Sequence, residues 1–158
     1  MPALNLLLRE TGDKIIMGEL NKWYIEKNMQ EAINAQLEWC KDPMYLCGIY
    51  SSTRSYLDEL FNSIINSVVD VNEIRTITIS NSMHSKKILF ENGSVMFFRI
   101  VKNSINSGIV NGAIIDSLIS NEILNTIILP KIRGDYEHII VVQPSSIPIG
   151  NNNEEKNS

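Results

Sequence analysis

Three short segments of this chain are apolar at consecutive positions rather than at alternate ones: MYLCGIY (44–50), IVNGAIID (109–116) and HIIVVQP (138–144). A strand that is apolar on both faces needs cover on both faces, as in parallel sheets flanked by helices. Helical patterns lie between these runs. The sequence therefore predicts an α/β fold of three layers, built on a mostly parallel sheet with a β-hairpin insertion.

The remaining elements follow from spacing and punctuation. KIIMG (14–18) reads as a short buried strand ended by Gly18. From Trp23 to Cys40, apolar Ile25, Met29, Ile33, Leu37 and Cys40 recur every three or four positions, which predicts a helix stopped by Pro43. Ser55 and Asp58 have the spacing of a capping box, ahead of a second stripe of Leu57, Leu60, Phe61, Ile64, Ile65 and Val68. Ile74, Ile77 and Ile79 mark a strand over 73–80. Asn92-Gly93 interrupts 86–101, and that dipeptide predicts a hairpin whose two central residues both take positive φ. Residues 102–108 form a polar loop. Residues 120–130 make a short helix capped by Ser120 or Asn121 and stopped by Pro130. Residues 1–149 form one domain, and 150–158 (GNNNEEKNS) have nothing to bury and form a disordered polar tail.

With 158 residues and 44% apolar content, the chain can build one substantial core. Its net charge of −4 counts against non-specific attraction to nucleic acid, leaving only a local patch such as Lys86, Lys87, Arg99 and Lys102, with His84 nearby. Cys40 and Cys47, with no histidine near them, read as small hydrophobes in a reducing compartment. No run reaches the eighteen or so apolar residues of a membrane span, so the expected location is the cytoplasm of a host cell. The two distant histidines, His84 and His138, give no zinc pattern.

Asp116 is the exception within the apolar pattern. It ends the run NGAIID and has no basic neighbour in sequence. A buried carboxylate needs a partner, so it either caps a turn or awaits a cation. In open α/β sheets, ligands bind beyond the C-terminal strand ends. Three polar groups fall at such ends here: SSTR (51–54), Asp116, and QPSS (143–146). An acid at the end of an apolar strand is a usual holder of Mg²⁺ beside a nucleotide phosphate.

The order of YLCGIYSSTRSYLDELFNSII, KILFENGSVMFFRI, GIVNGAIIDSLISNEILNTIILPKI and HIIVVQPSSIPIG resembles the ATPase core of the viral large terminase subunit, over roughly residues 14–150. The resemblance implies a P-loop NTPase-like fold. Within it, Asp116 takes the place of the Mg²⁺-holding Walker B acid, Gly18 and Lys22 that of the phosphate loop, and Arg54 that of the Ser/Thr-Arg turn. The chain departs from the family in two motifs. IIMGELNKWYIEKNMQEAI has no Gly-Lys-Ser/Thr, so the hydroxyl that reaches Mg²⁺ is missing, and bulky Trp23 and Tyr24 follow the lysine. Ser117 stands where the family has a glutamate that activates water, with Glu122 the nearest later acid. The resulting expectation is a catalytically degenerate relative that binds a protein partner, in viral DNA packaging or its regulation, with no cofactor. The alternatives are an ATP- and Mg²⁺-dependent packaging motor, or a nucleic-acid-binding module. Periodicity leaves the oligomeric state open.

Overall fold

The computed structural model describes residues 14–17, 23–68, 70, 73–80, 85–101, 108–133 and 138–143; the side chains of 14–17, 23 and 24 are outside that set. Among the described residues, eight strands form one sheet: β1 (Lys14–Met17), β2 (Trp23–Glu26), β3 (Leu46–Ser51), β4 (Ile74–Ser80), β5 (Ser85–Phe90), β6 (Val95–Ile100), β7 (Gly112–Asp116) and β8 (Ile139–Val142). Their spatial order is β1-β2-β8-β7-β3-β6-β5-β4. The central neighbours β2·β8, β8·β7, β7·β3 and β3·β6 are parallel, while β1·β2, β6·β5 and β5·β4 are antiparallel. The fold is thus mixed α/β with a parallel centre, as the consecutive apolar runs predict. The antiparallel part is larger than one hairpin: β4, β5 and β6 form a meander, and β1 adds a strand at the far edge.

Alternate residues of the central strands feed two separate cores. On β8, Ile140 and Val142 join one cluster and Ile139 and Val141 the other; on β7, Ile114 and Ile115 divide in the same way. Helices α1 (Met29–Trp39) and α2 (Arg54–Ser67) cover the first face through Ile33, Leu57, Leu60 and Ile64. The segment from Asn121 to Lys131 covers the second through Leu124, Ile128 and Leu129. This division follows from crossover handedness. The connections through α1 and α2 run one way along the sheet and the β7-to-β8 connection runs the other, so right-handed crossovers put them on opposite faces. The reversal lies between β3 and β7.

The first helix starts later than its apolar spacing predicts. Asn28 accepts a 2.8 Å bond from the Glu31 N–H, and Glu31 accepts one back from the Asn28 N–H at 3.4 Å, a reciprocal cap that fixes the start. Upstream, Trp23–Glu26 is strand β2, and Ile25 is buried as a strand residue rather than as part of the helical stripe. A single residue three or four positions upstream matches either period. The pairing of β2 with β1 and β8 decides it.

Helix α2 is capped by Thr53, whose hydroxyl accepts from the Tyr56 N–H at 3.3 Å; Ser55 lies inside the first turn instead. In the β5–β6 hairpin only Gly93 takes positive φ, at 90°, because the turn is a three-residue connection and not a two-residue one. The Phe90 carbonyl accepts from Gly93 N–H, and Phe90 N–H reaches Ser94. Asn92 is thereby released to donate to the carbonyls of Cys40 and Lys41 at 2.8 and 3.2 Å, tying the hairpin to the end of α1.

The odd spacing of Ile74, Ile77 and Ile79 also has a cause. A register shift between Ile74 and Thr76 inserts one residue, so Ile74 lies opposite Phe90 and Ile77 opposite Ile88, on one face. The 120–130 segment is capped by Ser120 as predicted, but only Asn121–Ile123 is α-helical; a π turn over Leu124–Ile128 and a 3-10 turn over Leu129–Lys131 follow. Pro130 has no N–H with which to continue a regular ladder. Among the described residues, no helix is long and apolar enough to cross a membrane.

Candidate functional site

Asp116 is the last residue of β7 and is fully buried. The register that pairs Tyr50 with Ile115 brings the next residues, Ser51 and Asp116, to adjoining strand ends, and Asp116 lies opposite Val142 at the end of β8. These ends flank the point where the connections reverse direction, the crevice in which open α/β sheets bind ligands.

The carboxylate is satisfied there by neutral donors. Its Oδ2 accepts from the Ser52 hydroxyl at 2.7 Å, the Ser52 backbone N–H at 3.1 Å and the Ser51 hydroxyl at 3.2 Å. Its Oδ1 accepts from the Leu118 N–H at 2.8 Å. The Ser51 hydroxyl also lies 2.9 Å from the Thr53 carbonyl and accepts from the Thr53 N–H at 3.1 Å. One acid thus fastens the end of β3, the entry to α2 and the turn after β7. It also brings negative charge close to the N-terminus of α2, where a helix favours it.

Tyr56, in the first turn of α2, is buried in the same corner, and its hydroxyl reaches the Gln143 carbonyl at 3.5 Å. Burial pushes its phenol pKa up, and the Asp116 and Glu59 charges add to that, so Tyr56 stays protonated.

The groups touching Asp116 are hydroxyls and backbone N–H groups, a set that suits a turn cap. Mg²⁺ takes near-octahedral oxygen ligands, and no group of three His, Cys, Asp or Glu side chains comes together for a metal among the described residues.

The other candidates are dispersed. Arg54 starts α2 and is half exposed, 3.9 Å from Asp58 one turn on. Asp58 also holds Lys86 at 3.2 Å. Ser117 and Glu122 are exposed. Gly18 and Lys22 lie outside the described residues, as do His84, Lys102 and Ser145. The basic residues of β5 and β6 divide between the two faces of the sheet, Lys86 on one and Lys87 with Arg99 on the other. Lys86 lies opposite Phe98 and stacks over Phe61 on the α2 face, and strand alternation turns Lys87 the other way. Arg99 donates to the Lys86 and Phe98 carbonyls and lies over Phe97.

A groove of about 640 Å³ lies at the opposite end of the helices, beside Cys40, Val68 and Phe90. Its rim carries Glu38, Glu73 and Glu91, a charge that disfavours phosphate. Nearby, Gln36 is fully buried. It accepts from the Tyr45 hydroxyl at 2.9 Å and donates to the carbonyls of Ala113 and His138 at 3.2 and 3.1 Å. Gly112 permits this crossing, since a Cβ there would lie 2.9 Å from the His138 carbonyl and collide with the Tyr45 hydroxyl.

The sequence does carry a sign of Gln36, because the residue falls within the apolar stripe of its helix, three after Ile33 and four before Cys40. It also places SSTR and Asp116 at strand ends without showing that they meet. No protein-family model matches the chain, and no curated protein matches it.

Proposed function

We propose that this chain is a terminase-like α/β domain that keeps the sheet, lacks the hydrolytic apparatus, and acts by binding a protein, in viral DNA packaging or its regulation. The observation that carries this reading is the state of Asp116. The acid that would hold Mg²⁺ spends both oxygens on Ser51, Ser52 and Leu118. Exposed Ser117 follows it and is no base at neutral pH. The same Asp116 turn holds Leu118 at the rim with 55% of its surface exposed, an apolar contact offered to a macromolecule rather than to a phosphate.

Titration calorimetry with ATP and Mg²⁺ tests the reading. The expected outcome is no binding tighter than a Kd of about 1 mM, or some −4 kcal/mol. Tighter binding that is lost in Asp116→Ala would replace this proposal with the packaging-motor reading.

A further inference from the structure

We propose that β4 is a self-pairing edge, through which two copies of this chain join antiparallel into one continuous sheet. Among the described residues, β4 is the outermost strand and bonds only to β5. At seven residues it is the longest strand of the sheet. Edge strands are commonly blunted by lysine, proline or shortness. β4 has no lysine or proline, and its sole charge, Arg75, is paired with Glu91 at 3.3 Å. Ile77 and Ile79 are 44% and 52% exposed.

The direction of the free backbone groups follows from the hairpin. Phe90 N–H bonds to Ser94, which sets the alternation along β5. Ile88 and Lys86 then bond towards β6, and Leu89 and Lys87 towards β4. Thr76 and Thr78, which lie opposite Leu89 and Lys87, turn their backbone groups inwards. Ile77 and Ile79 therefore turn theirs to the open edge.

The occupant is read from the strand itself. Thr76-Ile77-Thr78-Ile79-Ser80 has nearly the same order of residue types in both directions. With a twofold axis on Thr78, Ile77 meets Ile79 of the second copy twice, Thr76 meets Ser80 twice, and Thr78 meets itself. No charge opposes a charge, and the outward-bonding isoleucines become the hydrogen-bonded pairs. Ile77 lies opposite buried Ile88, so the four isoleucines share one face and extend the core beneath α2 across the axis. This is an isologous interface, and cross-strand pairs of β-branched residues favour it. It does not depend on whether nucleotide binds.

Sedimentation of the full chain over a concentration series tests the proposal, together with two variants checked for fold by circular dichroism. Wild type is expected to dimerise, and Ile79→Lys to lose the dimer while folding normally. Across a non-hydrogen-bonded pair the Thr78 Cα atoms stand about 4.5 Å apart, within disulfide range. T78C is therefore expected to give an interchain disulfide under mild oxidation, whereas wild type, with Cys40 and Cys47 buried, gives none. A wild-type chain that is monomeric up to its solubility limit would overturn the proposal. So would a dimer that Ile79→Lys leaves intact and T78C does not lock. Should Ile79→Lys fail to fold, the T78C result decides alone.

Discussion

The Ser52 hydroxyl donates to Asp116 Oδ2 at 2.7 Å, across two strand ends that are 64 residues apart in the chain. That bond and its three companions make Asp116 a structural clamp. Asp116→Ala is expected to lower unfolding stability by about 2–4 kcal/mol, because hydrogen bonds to a charged group are lost and the Ser52 and Leu118 N–H groups lose their acceptor. Asp116→Asn keeps one acceptor oxygen and costs less. Denaturant midpoints at unchanged slope measure both. Mg²⁺ alone is expected to leave the wild-type melting temperature unmoved, whereas a cation site would raise it with concentration.

Gln36 joins Tyr45 to the carbonyls of Ala113 and His138 inside the first core. Gln36→Leu strands two carbonyls and a hydroxyl at once, and about 2–4 kcal/mol of stability should go with them. Tyr45→Phe removes only the hydroxyl and should cost about 1 kcal/mol. A smaller loss for Gln36→Leu than for Tyr45→Phe in urea unfolding would show that the network is not the unit described.

The Gly93 φ of 90° belongs to the region where side chains are strained. Gly93→Ala should destabilise by about 1 kcal/mol or more. Asn92→Ala loses the ties to Cys40 and Lys41 and should cost a similar amount, about 1–2 kcal/mol. Thermal melts of the two single variants and the double test whether turn and tie are coupled.

Burial raises the Cys40 thiol from an ordinary 9.0 to about 12, and it also pushes Cys47 well up. The native thiols should therefore stay unreactive towards a disulfide reagent through pH 9, and both should react once the chain is unfolded. The linkage has a definite sign. A folded pKa above the unfolded one gives stability that is complete below pH 9 and is lost as pH rises towards 12. Rapid labelling of native protein at pH 8 would contradict the burial of both residues.

The sequence shows part of this architecture directly. Consecutive apolar residues in 46–51, 112–116 and 139–142 announce strands covered on both faces, and the stripe from Leu57 to Ile64 announces α2, because side-chain period and burial are local consequences of backbone geometry. The position of Asp116 at a strand end is legible for the same reason. The start of α1 is not, since Ile25 fits both a strand and a helical stripe until β1 and β8 claim its backbone.

Which strands become neighbours was decided only in three dimensions. Period tells a residue which face it occupies and says nothing of what lies beside it. The order of strands in the sheet sets β7 against β3, and that turns a lone acid and a run of serines into one clamp. It also leaves β4 at the edge, where the same Ile-Thr alternation that would line an interior strand faces water instead.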